Sequence, residues 1–323
     1  MMLVYGDMFS ESVERKTYLE FIIRRIARIY PLHVFMLTCF VMSEFAKFLF
    51  NSDADPAFSN NTPISIISNL FLVQAWDLHP RPMWNQPSWS ISAEFSAYLL
   101  FPLLAVQIKR RKWVGLTLIG IGTFALLILF RQTLGGGTLD RTSDFGVLRC
   151  LPSFTLGMVL ACCYLTMERR WRRLLGADVL LAGLILAVAL MLHFGISEIA
   201  LVACFALIIL SGSLNQGVVG RVLALPPLHV LGLLSYSIYM THSFVERMWL
   251  FVSFKLFHGT QPTWQAAVAL TVCLAIVAGS SAMTWRLIEL PGRKAIMTLG
   301  RRWYDRARVP ALAAIPLGSG PER

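Results

Sequence analysis

Charge is scarce in this chain. Only 15% of its 323 residues are Asp, Glu, Lys or Arg, where a soluble domain carries about a quarter. With 56% hydrophobic residues and a mean hydropathy of +0.62, that shortage excludes an ordinary water-soluble domain. Paired cysteines are missing as well. The six cysteines, at 39, 150, 162, 163, 204 and 273, form no Cys-x-x-Cys, and nearly all fall in apolar runs. They read as small packing residues rather than disulfides or metal ligands, so no metal is expected. No Gly-x-Ser-x-Gly, His-Glu-x-x-His, Gly-x-Gly-x-x-Gly or His-x4-Asp occurs. Those absences remove the common hydrolase, zinc-protease, dinucleotide-binding and glycerolipid-acyltransferase readings. Gly135-Gly136-Gly137 precedes no Lys-Ser/Thr, so it reads as an outer loop and not a phosphate loop. The opening, Met1-Met2-Leu3-Val4-Tyr5-Gly6-Asp7, lacks the basic start and apolar core of a signal peptide.

What is present is a series of apolar runs separated by short basic stretches. Candidate spans lie at roughly 31–50, 88–107, 113–130, 147–166, 178–194, 197–213, 228–250 and 265–286. That predicts an all-α, polytopic transmembrane bundle of about eight spans. Of the 29 Lys and Arg residues, 22 fall on one side of these spans. The excess puts both termini and the 109–112 stretch in the cytoplasm. The net charge of +11 belongs to that topology, and no nucleic-acid partner is expected; the lipid bilayer is. The longest loop, about 51–87, then faces outward. It runs from Asn51-Ser52-Asp53-Ala54-Asp55-Pro56 to Pro80-Arg81-Pro82-Met83-Trp84-Asn85-Gln86-Pro87. Its Pro and Trp cluster suits an outer lid or an interfacial aromatic belt. The organisation read from this pattern is 1–30, a helix end with an arginine segment; 31–294, the membrane domain; and 295–323, a basic cytoplasmic tail.

Ionisable and polar groups within apolar spans need a partner or a purpose. Arg24, Arg25 and Arg28 sit together just before the first span. At i, i+3 and i, i+4 spacing they share a helix face and repel one another. A positively charged flank that fixes orientation explains them, and so does a phosphate-bearing ligand. Glu94 lies about five residues into the second span, where it is either a proton acceptor or a hydrogen-bonding partner of a neighbouring helix. Ser235, Tyr239 and His242 recur at i, i+4, i+7 and predict one polar stripe, with His242 suited to proton transfer. Arg149 opens the fourth span near Asp144, Arg286 and Glu289 are placed to pair at i, i+3, and His33 reads as interfacial packing.

Five segments in order resemble the acyltransferase-3 family of integral membrane acyltransferases. They are Phe21-x-x-Arg24-Arg25-x-x-Arg28-Ile29-x-Pro31, Trp89-Ser-Ile-Ser-Ala-Glu94, Arg149-Cys-Leu-Pro152-x-Phe154-x-x-Gly157, Ser235-Tyr-Ser-Ile-Tyr239-Met-Thr-His242 and Arg286-Leu-Ile-Glu289-x-Pro291-Gly-Arg293. The resemblance implies transfer of an acyl group, commonly acetyl, from cytoplasmic acyl-CoA to a sugar or polysaccharide hydroxyl at the outer face of a bacterial inner membrane. It implies that Arg25 and Arg28 bind CoA phosphates with Arg24 assisting. It makes Glu94 and His242 the catalytic candidates, toward the outer half. Trp89, Arg149, Ser235 and Tyr239 are then expected to meet substrate. Family members have about ten helices, with a catalytic His on the first. That helix is expected to precede Met1 in a longer protein. Other readings of the same features are a glycan or lipid-linked-sugar transporter or flippase, and an inactive acyltransferase-like protein. The oligomeric state is not legible from these residues.

Overall fold

The computed structural model describes residues 1–9, 12–50, 58, 61–79, 83–134, 139, 146–257 and 263–306. Asn51–Pro56, Pro80–Pro82, the 135–137 glycines, Asp144 and the tail beyond residue 306 lie outside the described residues, as do the 109–112 side chains. No β-strand occurs among the described residues. A short α1 (Met2–Tyr5) and a 3₁₀ turn lead into α2 (Arg15–Leu49). There follow α3 (Ile64–Leu70), α4 (Trp89–Thr133), α5 (Gly146–Thr166), α6 (Arg169–Leu175), α7 (Asp178–His193), α8 (Glu198–Leu214) and α9 (Val218–Leu223). The chain ends in α10 (Pro226–Phe257), α11 (Thr263–Thr284), a π-turn at Trp285–Glu289, and α12 (Leu290–Arg306).

Four helices among the described residues are long and apolar enough to cross a membrane, or five if the bent pair α6–α7 counts as one span. This is fewer than the eight expected, for identifiable reasons. The apolar stretches Leu118–Thr133 and Glu198–Leu214 are shorter than a full crossing. Helix α10 has 32 residues, but its serines, tyrosines and histidines dilute its apolar character, and it is not among the four. The fourth qualifying helix is Gln265–Trp303, which runs through the π-turn and beyond the expected 265–286.

Helix α4 is one helical run of 45 residues where two spans were expected. Phe101 and Thr123 would stand about 33 Å apart on a straight helix. Yet Phe101 packs on Phe154 of α5, ring centroids 6.2 Å apart, and Thr123 Oγ1 is 2.7 Å from Thr155 Oγ1. Adjacent residues of α5 touch both, so α4 does not run straight between Phe101 and Thr123.

Helix α2 organises the bundle. It runs straight through Pro31, so it begins well before the span expected at 31–50. Proline is tolerated there because neighbouring helices take up the freed backbone group. Helix α10 lies parallel to it: Tyr236 donates to the Ile29 carbonyl at 2.6 Å, and Phe244 meets Phe40 edge-on at 5.2 Å. Helix α4 runs antiparallel, with Phe101 stacked on Phe21 at 5.2 Å and Ile91 among Ile29, Leu32 and Met36. Helix α12 is antiparallel too. A Cβ on Gly292 would fall 2.5 Å from Pro31, and one on Gly300 would fall 2.7 Å from Ile23. Eight residues separate each pair of contacts, so the two helices keep register along their length.

The segment before α4 folds inward, and Trp84 is a core residue rather than part of an aromatic belt. Trp84 is buried, and its indole donates to Ser65 Oγ at 2.7 Å. His33 is in the core as well, not at an interface. Its Nε2 lies 2.9 Å from the Asn69 carbonyl. Asn85 Nδ2 donates to the Met240 carbonyl at 3.0 Å, and the Ala75 amide donates to Ser92 Oγ at 3.1 Å. Phe58, Leu72, Asp77 and Trp84 all have φ near +60°, a region that non-glycine residues enter only when their surroundings impose it. Buried Glu44 closes this end by accepting hydrogen bonds from Arg247, from Asn61 Nδ2 at 3.2 Å and from the Phe58 amide at 2.9 Å.

Candidate active site

The three neighbouring arginines of α2 have three different surroundings. Arg24 pairs with Glu20 one turn earlier, at 2.5 Å, and both side chains are about two-fifths exposed. Arg25 turns inward. It donates to the Tyr5 hydroxyl at 2.5 Å and to Met1 Sδ at 3.5 Å. Its guanidinium also lies 4.6 Å from the Tyr5 ring centroid, 5.8 Å from Phe21 and 5.6 Å from Tyr98. Such faces attract a cation. Arg28 is the exposed member of the set. Their spacing predicts one repulsive face, and the fold relieves it by giving Arg24 an acid and Arg25 an aromatic cage.

Glu94 belongs to this same layer. One turn of α4 later, Tyr98 donates its hydroxyl to Glu94 Oε1. Because α4 runs antiparallel to α2, that phenol is also the ring beneath Arg25. Glu94 was expected toward the outer half, remote from the arginines. The antiparallel crossing instead places it one tyrosine away from them. Helix α10 completes the layer. Tyr236 is within electrostatic reach of Glu94, Arg28 and Glu289. Ser237 donates to Glu289 Oε2 at 2.9 Å. Glu289 is 5% exposed and sits on the π-turn, a distortion found often at functional sites. The expected Arg286–Glu289 pairing gives way to this arrangement. Arg286 instead lines an apolar groove with Val230, Leu233 and Met283.

The remaining candidates form a second layer toward the start of α4. Arg149 stands 5.5 Å from the Trp89 ring. Ser90 donates to the Tyr239 hydroxyl at 2.8 Å, and Tyr239 donates to the Pro87 carbonyl at 2.9 Å. His242 stacks obliquely on Tyr239 at 5.9 Å, and its Nδ1 lies 3.2 Å from the Ile238 carbonyl. It is six residues beyond Tyr236, about 9 Å along the helix, and none of its described contacts reaches Glu94. Ser235 is exposed and turns its hydroxyl back to the Gly232 carbonyl. The stripe read at 235, 239 and 242 is thus not the buried face of α10. Ser237, Met240 and Thr241 are.

Sequence reasoning missed Tyr98, Tyr236, Ser237 and Glu44. A signal existed for two of them. Tyr98 is the i+4 neighbour of Glu94, and Glu44 is an acid in an apolar run with Lys47 three residues on. Among the described residues no group of His, Cys, Asp and Glu is arranged to hold a metal ion.

Chemically, the inner layer offers guanidiniums that hold anions and a carboxylate that can accept a proton, with phenols between them. No solved structure matches the chain. An acyltransferase from Streptomyces mycarofaciens, MdmB, is 29% identical over 314 residues, which covers 86% of this chain and 74% of that protein. The acyltransferase-3 family model, described as an acyltransferase domain, matches residues 1–282. That match takes in the arginine layer, Glu94 and the polar face of α10, and the chain belongs to the acyltransferase-3 family.

Proposed function

We propose that this membrane acyltransferase moves an acetyl group from cytoplasmic acetyl-CoA to a hydroxyl of an extracytoplasmic sugar or polysaccharide. The observation that carries this reading is the continuity from Arg25 through Tyr98 to Glu94. A cationic group suited to a phosphate and a carboxylate suited to a hydroxyl proton stand one side chain apart. Arg25 and Arg28 hold the donor's phosphates, with Arg24 on the approach. Glu94 takes the acceptor's proton as its oxygen attacks the thioester carbonyl. The carbon–sulfur bond then breaks, and the CoA sulfur leaves and is protonated. Trp89, Arg149, Ser235, Tyr239 and His242 lie on the acceptor's side.

The vectorial reaction requires an orientation. In this reading the protein sits in a bacterial inner membrane with about eight crossings and both ends in the cytoplasm. Cells expressing the chain are tested by measuring base-labile acetyl groups in their glycan fraction by mass spectrometry, with Glu94→Gln alongside. Acetylation that requires Glu94 supports the reading. No gain in cells containing folded protein, or an equal gain with Glu94→Gln, overturns it.

A further inference from the structure

Arg28 and Arg293 belong to different helices but stand at nearly the same level of the α2–α12 seam, near one buried carboxylate. Glu289 is buried on the π-turn, is fixed by Ser237, and is within electrostatic reach of both guanidiniums. The backbone brings them there. Gly292 rests on Pro31 and Gly300 on Ile23, so position 293 of α12 is level with about position 30 of α2. Arg28 is then offset from Arg293 by only about 3 Å along the helix axes. Both arginines are exposed. One carboxylate offsets one of the two positive charges and leaves the other for a ligand. Arg24, by contrast, already spends its charge on Glu20. Arg293 also lies beyond the residues matched to the family model.

We infer that Arg28 and Arg293 form a two-helix clamp for the diphosphate bridge of the nucleotide donor, with Glu289 as the residue that positions both. The inference rests on the acyl-CoA reading above. Two guanidiniums at one level of the seam between separate helices suit two adjacent phosphates, each able to take a planar fork. An anionic lipid headgroup offers the same phosphate chemistry, and the test separates the two sources.

The full chain is placed in nanodiscs of zwitterionic lipid and titrated calorimetrically with CoA, dephospho-CoA and pantetheine. Arg293→Ala weakens CoA and dephospho-CoA alike, by about tenfold or more, and leaves pantetheine unchanged. Arg293→Lys recovers part of the loss, because it restores charge without the fork. Arg302→Ala, exposed on the same helix, binds as the wild type does. Wild-type CoA affinity in Arg293→Ala, with Arg25→Ala weakened, overturns the clamp and leaves the donor reading standing. A loss that occurs only when phosphatidylglycerol is added to the nanodiscs assigns the pair to lipid and overturns it as well. No CoA binding by the folded wild-type protein overturns the donor reading and the clamp together.

Discussion

Tyr98 stands between Glu94 and Arg25, with its hydroxyl on the carboxylate and its ring 5.6 Å from the guanidinium. A single phenol thus joins the site's acid to its cation across two antiparallel helices. Tyr98→Phe keeps the ring packing on Phe21 and Phe154 and removes only the hydroxyl. Leaving a buried partner unsatisfied costs about 1–3 kcal/mol. The expected outcome is a five- to hundredfold fall in acetyl transfer, with the protein still monodisperse on size exclusion. An unchanged rate would separate Glu94 from the arginine layer.

Arg24 and Arg25 are predicted to differ despite adjacency. Arg25→Ala removes a caged guanidinium and lowers CoA affinity by about 1.5–3 kcal/mol in equilibrium titration. Arg25→Lys restores only part. Arg24 spends its charge on Glu20 in a partly exposed pair, worth about 0.2–1 kcal/mol at most. Its alanine variant therefore stays within a few-fold of wild type. Equal losses at both positions would indicate a diffuse positive surface rather than a built site.

Orientation is testable at described, exposed positions. In a background without the native cysteines, Asp77→Cys is expected to react with an impermeant thiol reagent in intact cells, and Arg170→Cys only after lysis. Both residues are exposed, so accessibility within the fold does not limit labelling. The reverse pattern would turn the reaction around and place the arginine layer outside.

Glu44 and Arg247 tie α2 to α10 through a buried carboxylate. Removing one member of such a pair costs about 3–5 kcal/mol, while replacing both costs much less. Arg247→Met and Glu44→Gln should each lower the detergent melting temperature clearly, and the double variant should recover much of the loss. Additive losses would show that the two groups act independently.

The seam between α2 and α12 should tolerate no side chain at its two close approaches. Gly292→Leu and Gly300→Val are expected to lower the yield of folded protein, because a Cβ alone already falls within 2.5 Å and 2.7 Å of Pro31 and Ile23. Exposed Arg302→Ala on the same helix should not. The check is fluorescence-detected chromatography, and normal yields for both glycine variants would mean that the helices can part.

The sequence made the helical class, the family and the basic end of α2 legible, because long apolar runs and ordered motifs are local signals. What it did not reveal is which residues face which. The stripe through Ser235, Tyr239 and His242 obeys helical periodicity. However, periodicity defines a face without saying which neighbour covers it, and the buried face is the one carrying Ser237 and Thr241, which meet Glu289 and Ser281. Likewise, counting residues from Trp89 put Glu94 away from Arg25. Only the antiparallel crossing of α4 over α2, a contact between distant parts of the chain, brings Tyr98 beneath the guanidinium.

The clasp around Glu44 also bears on how the protein is made. Glu44 leaves the ribosome 203 residues before Arg247, and Asn85 leaves 155 residues before Met240. Through most of synthesis, a carboxylate and a polar segment stand at the membrane without the helix that satisfies them. The four left-handed residues of that segment have no local reason to adopt their final shape. A nascent chain that stalls before α10 is therefore an unfinished surface, open to the proteases that survey new membrane proteins. The late insertion of one helix converts a vulnerable intermediate into a durable one.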